Sequence, residues 1–192
     1  SAQEFIGDII DVDRGELVTQ EYSQFQPDVV VMDLSMPGIG GLEAIRRLMK
    51  KHNKAVVLVY SIHDEAIYVE RAMQAGAKGY VTKNSAPEIL AEAVQLVVKG
   101  EVYIESGLAE TAGDAVKNEA DLYREVIDLL SPREFDVFCL LAKGMNGHEA
   151  SEQLCLGYKT VANYNTQIKH KLNVNTAADL AHIAMVLGVI KK

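Results

Sequence analysis

The sequence predicts an α/β unit built on an open parallel sheet, followed by an all-α unit of four helices. Three observations lead there. Short β-branched runs alternate with helical periodicity as far as Gly100, only helical periodicity remains from Ser131 onward, and the two halves differ in the sign of their net charge. A chain of 192 residues has room for two domains of about 100 residues each. Its 48% hydrophobic and 24% charged content is that of a chain able to bury cores.

Val29 to Met32 and Ala55 to Tyr60 are short, apolar and bounded by turn signals, as buried parallel strands are, and Gly79 to Thr82 is a weaker third. A further strand is expected near Phe5 to Ile10. Between the strands, apolar residues recur at helical spacing: Leu17, Val18, Tyr22, Phe25; Leu42, Ile45, Leu48, Met49; Ile67, Ala72, Met73; Ile89, Leu90, Ala93, Val94, Val97. Gly76 and Gly100 stop two of these helices. Strand and helix in alternation predict helices on both faces of the sheet, with any site at the carboxyl ends of the strands. Residues 1–105 form this first domain. Residues 106–130 are rich in Gly, Ala and acids and read as a linker, in which Leu122, Val126 and Leu129 hint at a short helix.

Residues 131–192 are the second domain. Ser131-Pro132-Arg133-Glu134 joins an N-cap Ser, a Pro at the first helical position and a Glu placed to close a capping box. Phe135, Phe138 and Leu141 make that helix's buried stripe and Gly144 ends it. His148 to Cys155 is a second helix and Tyr158 to Leu172 a third; Thr176 with Asp179 caps a fourth that carries Leu180, Ile183, Ala184 and Leu187.

Residues 1–130 carry 12 Lys/Arg against 22 Asp/Glu, net -10, whereas residues 131–192 carry 7 against 5, net +2. A mildly basic unit joined to an acidic one fits a nucleic-acid binder whose affinity is kept modest until something adds to it. No apolar run approaches the roughly 18 residues that span a bilayer, and Ser1 to Asp8 lacks the pattern of a signal peptide, so no membrane partner and a cytoplasmic location are expected. Cys139 and Cys155 are too few for a zinc site, and both read as buried thiols.

Counting about 100 degrees per residue along the third helix of the second domain separates two faces. Val161, Asn165, Ile168 and Leu172 fall together, with Tyr164 beside them; Lys159, Asn163, Thr166 and His170 lie opposite, with Ala162 at the edge and no carboxylate among them. Asn pairs with adenine edges, Thr and Ala meet a thymine methyl and Lys neutralises phosphate, so this face suits a major groove. It also reads as an ordinary solvated surface. In the first domain Asp33 ends a strand ahead of a loop containing Pro37, Gly38, Gly40 and Gly41, Ser61 ends the next strand, and Lys83 follows the third. A carboxylate, a hydroxyl and an ammonium converging there can do phosphoryl chemistry, the Asp as nucleophile and the other two holding phosphoryl oxygens. Taken singly, Asp33 opens a turn, Ser61 caps a helix and Lys83 is solvated.

Leu130 to Glu134, Leu141 to Gly144, Glu149 to Leu156, and Lys159-Thr160-Val161 with Ile168 and Lys171-Leu172 together resemble the LuxR-type helix-turn-helix module. The resemblance implies a third helix lying in the major groove of double-stranded DNA, with Ala162, Asn163 and Thr166 near bases, Lys159, Thr160 and Lys169 near phosphates, and His170 on the same face. It also implies a fourth helix that pairs two copies into a homodimer. Gly157 stands where a Ser usually caps the recognition helix, and Tyr164 where His is common. Met32 to Gly38, Ser61-Ile-His-Asp64 and Ala75 to Lys83 resemble the receivers of NarL/FixJ-family response regulators, which have a flavodoxin-like fold. That implies Asp33 as phosphoacceptor, Ser61 as switch hydroxyl, Lys83 as phosphate-binding ammonium and Tyr80 as a rotating switch aromatic. It further implies the Ser35 carbonyl and Asp33 as ligands of Mg2+ for phosphorylation, and a sensor histidine kinase as partner. The chain would be a transcription regulator, not an enzyme.

Such receivers open with a strand ending in two adjacent acids that hold magnesium, then a helix, and the sequence shows neither before Phe5. About 30 further residues ahead of Ser1 are therefore expected, enough for that strand and helix; a chain truly starting at Ser1 needs its sheet rearranged or completed by another chain. Asp11 and Asp13 read as solvated caps. Two other readings stay open: a phosphorylation-independent DNA binder whose receiver serves only dimerisation, and, from Ile9-Ile-Asp-Val-Asp13, a haloacid-dehalogenase-like phosphatase.

Overall fold

The computed structural model describes residues 7–108 and 119–190, and the chain divides into two compact units, Ser1–Thr111 and Ala112–Lys192. In the first, α1 (Val18–Phe25), β1 (Val30–Met32), α2 (Gly41–Lys51), β2 (Val57–Ser61), α3 (Ala66–Ala75), β3 (Gly79–Thr82), α4 (Pro87–Val98) and β4 (Tyr103–Ile104) follow one another. The strands form one all-parallel sheet in the order β1-β2-β3-β4, with Met32 beside Val59 and Ser61 beside Thr82.

Strand side chains alternate between faces, and both faces are covered at β2 and β3, whereas β1, read as a buried strand, lies at the sheet edge with Val31 46% exposed. Leu58 and Val81 point to α4, where they pack with Ala93 and Val97. Val57, Val59 and Tyr80, on the other face, are equally buried, and α3 packs there against β3, with α2 beside α3 and α1 beside α2. Gly76 ends α3 in a left-handed conformation, φ 110°, that a residue with a Cβ adopts only under strain.

Two differences from the sequence reading have physical causes. Residues 7–10 form no strand, and Ile9 is 71% exposed; a strand exists only where its N–H and C=O groups find partners, and no strand lies beside these residues among those described. Residues 5 and 6 of that expected strand lie outside the described residues. Conversely β4 is too short to show alternation; Tyr103 N–H donates to Lys78 O and Glu105 N–H to Tyr80 O, each 3.1 Å, and the Tyr103 side chain packs against the Leu58, Val81 and Val97 cluster.

The second unit comprises α5 (Glu119–Ile127), α6 (Pro132–Ala142), α7 (Gly147–Gln153), α8 (Tyr158–Leu172) and α9 (Ala177–Val186). Helix α5 lies in the stretch read as linker and packs on α8 and α9 through the buried Ile127. Phe135, Phe138, Ile168, Leu180 and Ile183 fill the core between α6, α8 and α9. Reciprocal capping boxes start α6 (Ser131 with Glu134), α7 (Asn146 with Glu149) and α9 (Thr176 with Asp179). Cys139 is buried, but Cys155 is exposed: α7 stops at Gln153, and Cys155 turns out of it in a left-handed conformation, φ 51°.

Glu134 carries more than its cap. Its side chain is 3% exposed, and Lys171 Nζ donates to Oε2 at 2.6 Å and to Leu129 O at 3.1 Å, tying α8 to the start of α6. Burial pushes the Glu134 carboxyl up, but the bonds from Lys171 and Ser131 outweigh it and hold the group below its ordinary 4.5. A carboxyl lowered on folding stabilises fully above its ordinary pKa, and that contribution fades as pH falls through the folded value. Thermal melts over about pH 6 to 3 should therefore show the wild type losing its advantage over Glu134→Gln as pH drops. Ser131→Ala should cost about 1 kcal/mol at neutral pH by denaturant unfolding.

Candidate functional site

Parallel strands deliver their carboxyl ends to one edge of the sheet, and three chemically distinct side chains follow from β1, β2 and β3. Asp33 comes directly after β1. Its Oδ1 accepts the Ser35 N–H at 2.9 Å, the short loop that sets the carboxylate's orientation. Its Oδ2 accepts Lys83 Nζ at 2.8 Å across fifty positions of sequence. Both side chains remain accessible, 30% for Asp33 and 36% for Lys83. The Lys83 N–H donates to Ser61 O at 2.8 Å, so the third strand end is stitched to the second.

Ser61 is fully buried, and its hydroxyl accepts the His63 N–H at 3.3 Å. Tyr80 is buried as well, and its hydroxyl donates to His63 O at 2.9 Å. Burial pushes the Tyr80 phenol well above its ordinary range, with nearby Glu65, Asp33 and Asp64 adding to the rise against a bond from Ser61, so it stays a protonated donor. The aromatic expected to rotate is thus held inward here.

His63 carried no assigned role in the sequence. Its ring stacks on Tyr68 at 4.0 Å, its Nε2 lies 3.3 Å from Ser35 Oγ and its Nδ1 3.7 Å from Glu65 Oε2. In the sequence only its place in Ser61-Ile-His-Asp64 put it near the site; the contact with Ser35, 28 positions away, comes from tertiary structure. Gly41 is likewise part of the site: a Cβ there would stand 2.6 Å from Leu34 Cα and closer still to Asp33 O. Only glycine lets the first turn of α2 approach the Asp33 loop that closely.

Asp33 and the Ser35 carbonyl can offer oxygens to a hard cation, but among the described residues no three His, Cys, Asp or Glu side chains gather to hold a metal. These residues do not make a magnesium cage by themselves. Asp11 and Asp13 are exposed on irregular backbone and end no strand, so the phosphatase nucleophile loop is not formed.

In the second unit α8 separates its faces by burial. Val161, Ile168 and Leu172 are buried against neighbouring helices, Tyr164 and Asn165 are half-buried, and Lys159, Thr160, Ala162, Asn163, Thr166 and His170 are exposed. Gly157 caps the helix without a side-chain bond. The Thr166 hydroxyl donates to Ala162 O at 3.1 Å, and Lys169 Nζ donates to Asn175 O at 2.8 Å, at the turn into α9. Tyr158 stacks on His148 at 4.2 Å, joining the starts of α7 and α8. The exposed face carries no acid, so it offers a duplex amides, hydroxyls and positive charge without a repelling group.

Residues 3–95 match the response regulator receiver domain, and residues 128–184 match the bacterial regulatory proteins of the luxR family. The transcriptional activator protein ExaE of Pseudomonas putida is 38% identical over 177 residues, 92% of this chain and 83% of that protein. The response regulator UvrY of Escherichia coli K12 is 36% identical over 162 residues, 84% of this chain and 74% of that protein. Among solved structures, a two-component response regulator of the LuxR family from Aurantimonas sp. superposes with a TM-score of 0.54 at 31% identity, over 57% of this chain and 81% of that one. The RcsB response regulator of Salmonella typhimurium superposes with a TM-score of 0.61 at 21% identity, over 96% of this chain and 86% of that one, a likeness of fold.

Gly41→Ala should push the Asp33–Leu34 backbone off its position and destabilise the first unit by about 1–3 kcal/mol, read as an earlier thermal transition of that unit.

Proposed function

The chain belongs to the two-component response regulators that join a receiver domain to a LuxR-type DNA-binding domain and regulate transcription, and from that premise we propose that phosphorylation of Asp33 controls DNA binding through α8. The Lys83–Asp33 pair carries this reading, because it brings a nucleophilic oxygen and a phosphate-binding cation to one accessible point. A sensor histidine kinase, or a small acyl phosphate, supplies the phosphoryl group. An Asp33 oxygen attacks phosphorus, the P–N or P–O bond to the donor breaks, and an acyl phosphate forms. Lys83 then moves its ammonium from Oδ2 to a phosphoryl oxygen, and the Ser61 hydroxyl donates to another once it leaves its present bond to the His63 N–H. Pulling Ser61 over frees volume beside the buried Tyr80, whose inward position then shifts in population.

Receivers of this family use magnesium for phosphorylation. Asp33 and the Ser35 carbonyl are the ligands proposed for it, and none of these steps depends on it.

In the DNA-binding domain Asn163, Thr166 and Ala162 read base edges, and Lys159, Thr160, Lys169 and His170 meet the backbone. The exposed Met185 on α9 supports pairing of two copies there, which would match a site with two half-sites. Residues 1–105 act as receiver, 106–130 as the connecting segment and 131–192 as the reader.

DNA affinity should rise on treating the wild type with acetyl phosphate and magnesium and stay unchanged for Asp33→Asn; equal affinities in all four conditions would leave a phosphorylation-independent DNA binder. Asn163→Ala should lose about 1–3 kcal/mol at its preferred base and relax specificity there, whereas Lys159→Ala should weaken all sequences alike and reduce the salt slope by about 1.

A further inference from the structure

Beyond Asp33, Ser61 and Lys83, one carboxylate governs the loop that carries the ammonium. Glu105 follows β4, and its own N–H completes the strand ladder by donating to Tyr80 O at 3.1 Å. There the backbone turns away: Glu105 O accepts the Leu108 N–H at 3.2 Å and no longer faces β3. The next β3 donor, the Thr82 N–H, is met by the Glu105 side chain, with Oε2 at 2.8 Å. The other carboxylate oxygen, Oε1, accepts the Ser85 hydroxyl, and the Thr82 and Ser85 hydroxyls lie 2.7 Å apart. One carboxylate therefore clips the residue before Lys83 and the residue two after it. With the Lys83 N–H bound to Ser61 O, the turn has little freedom left, and the long side chain starts from a fixed base from which its ammonium reaches Asp33 Oδ2 at 2.8 Å.

We propose that Glu105 is a positioning residue for the phosphoryl site: by gripping Thr82 and Ser85 it holds the Lys83 turn where the ammonium reaches Asp33. This rests on the reading of Asp33 as phosphoacceptor, and it adds a residue outside the three motifs that carry that reading. Glu105 touches neither Asp33 nor the ammonium, so its effect passes through Lys83.

The full chain with Glu105→Ala, Glu105→Gln, Lys83→Ala and the Glu105→Ala/Lys83→Ala pair tests this. The rate of acetyl-phosphate labelling of Asp33 should fall roughly tenfold in Glu105→Ala, the scale of losing charge-assisted bonds. Glutamine keeps one acceptor for the Thr82 N–H and gains a donor for the Ser85 hydroxyl, so Glu105→Gln should restore most of the rate. The double variant should label no more slowly than Lys83→Ala alone, because a residue acting through Lys83 has nothing left to position. A multiplicative loss in the double variant, or no rescue by Gln, overturns the proposal. Amide hydrogen exchange provides an arm that needs no phosphorylation. Glu105→Ala should speed exchange at least tenfold over residues 82–85, with residues 57–61 unchanged and Gln restoring protection. If the wild type takes no label, the phosphoacceptor reading fails and this arm decides alone; unchanged exchange at 82–85 overturns the positioning role.

Discussion

The ion pair between Lys83 and Asp33 depends on strand direction before it depends on charge. Only because β1, β2 and β3 run parallel and in register do residues 33, 61 and 83 emerge at the same edge. At 2.8 Å and about one-third exposed on each side, the pair is worth little to stability, about 0–1 kcal/mol for such accessible charges. That weakness suits the pair to the role proposed for it. An ammonium held loosely beside a carboxylate transfers to a phosphoryl oxygen at small cost, whereas a deeply buried pair would resist being opened by several kcal/mol.

The second unit uses charge in the opposite way. Glu134 is buried, accepts from its own cap and from Lys171, and fixes the start of α6 to the end of α8. With Lys171 drawn inward, the cations left on the outer side of α8 are Lys159, exposed, and Lys169, tethered at the turn into α9. The helix thus divides its lysines between architecture and the exposed face proposed to meet DNA, opposite the buried Val161, Ile168 and Leu172.

Periodicity exposed most of this architecture in advance, since β1 to β3, α2 to α4, α6, α8 and α9 all bury a repeating stripe or a short apolar run. Capping chemistry was equally plain at Ser131 and Thr176, where side chain and backbone lie within three residues of each other. Features made by pairing across long separations were hidden. Two-residue β4 exists through its bonds to β3, the strand expected near Ile10 has no partner among the described residues, and Cys155 leaves its helix through a backbone reversal. At the proposed phosphoryl site the residue types after each strand pointed to Asp33, Ser61 and Lys83, but the His63 to Ser35 contact and the Glu105 clip span twenty residues or more and have no local signature.

Borohydride reduction of the chain after treatment with a small phosphodonor, followed by peptide mass spectrometry, tests the central claim most directly, because it converts an acyl phosphate into a stable mark at the residue that bore it. The account predicts reduction at residue 33, lost in the Asp33→Asn variant. A mark at Asp11, Asp13 or any other carboxylate, with residue 33 unaltered, would contradict it.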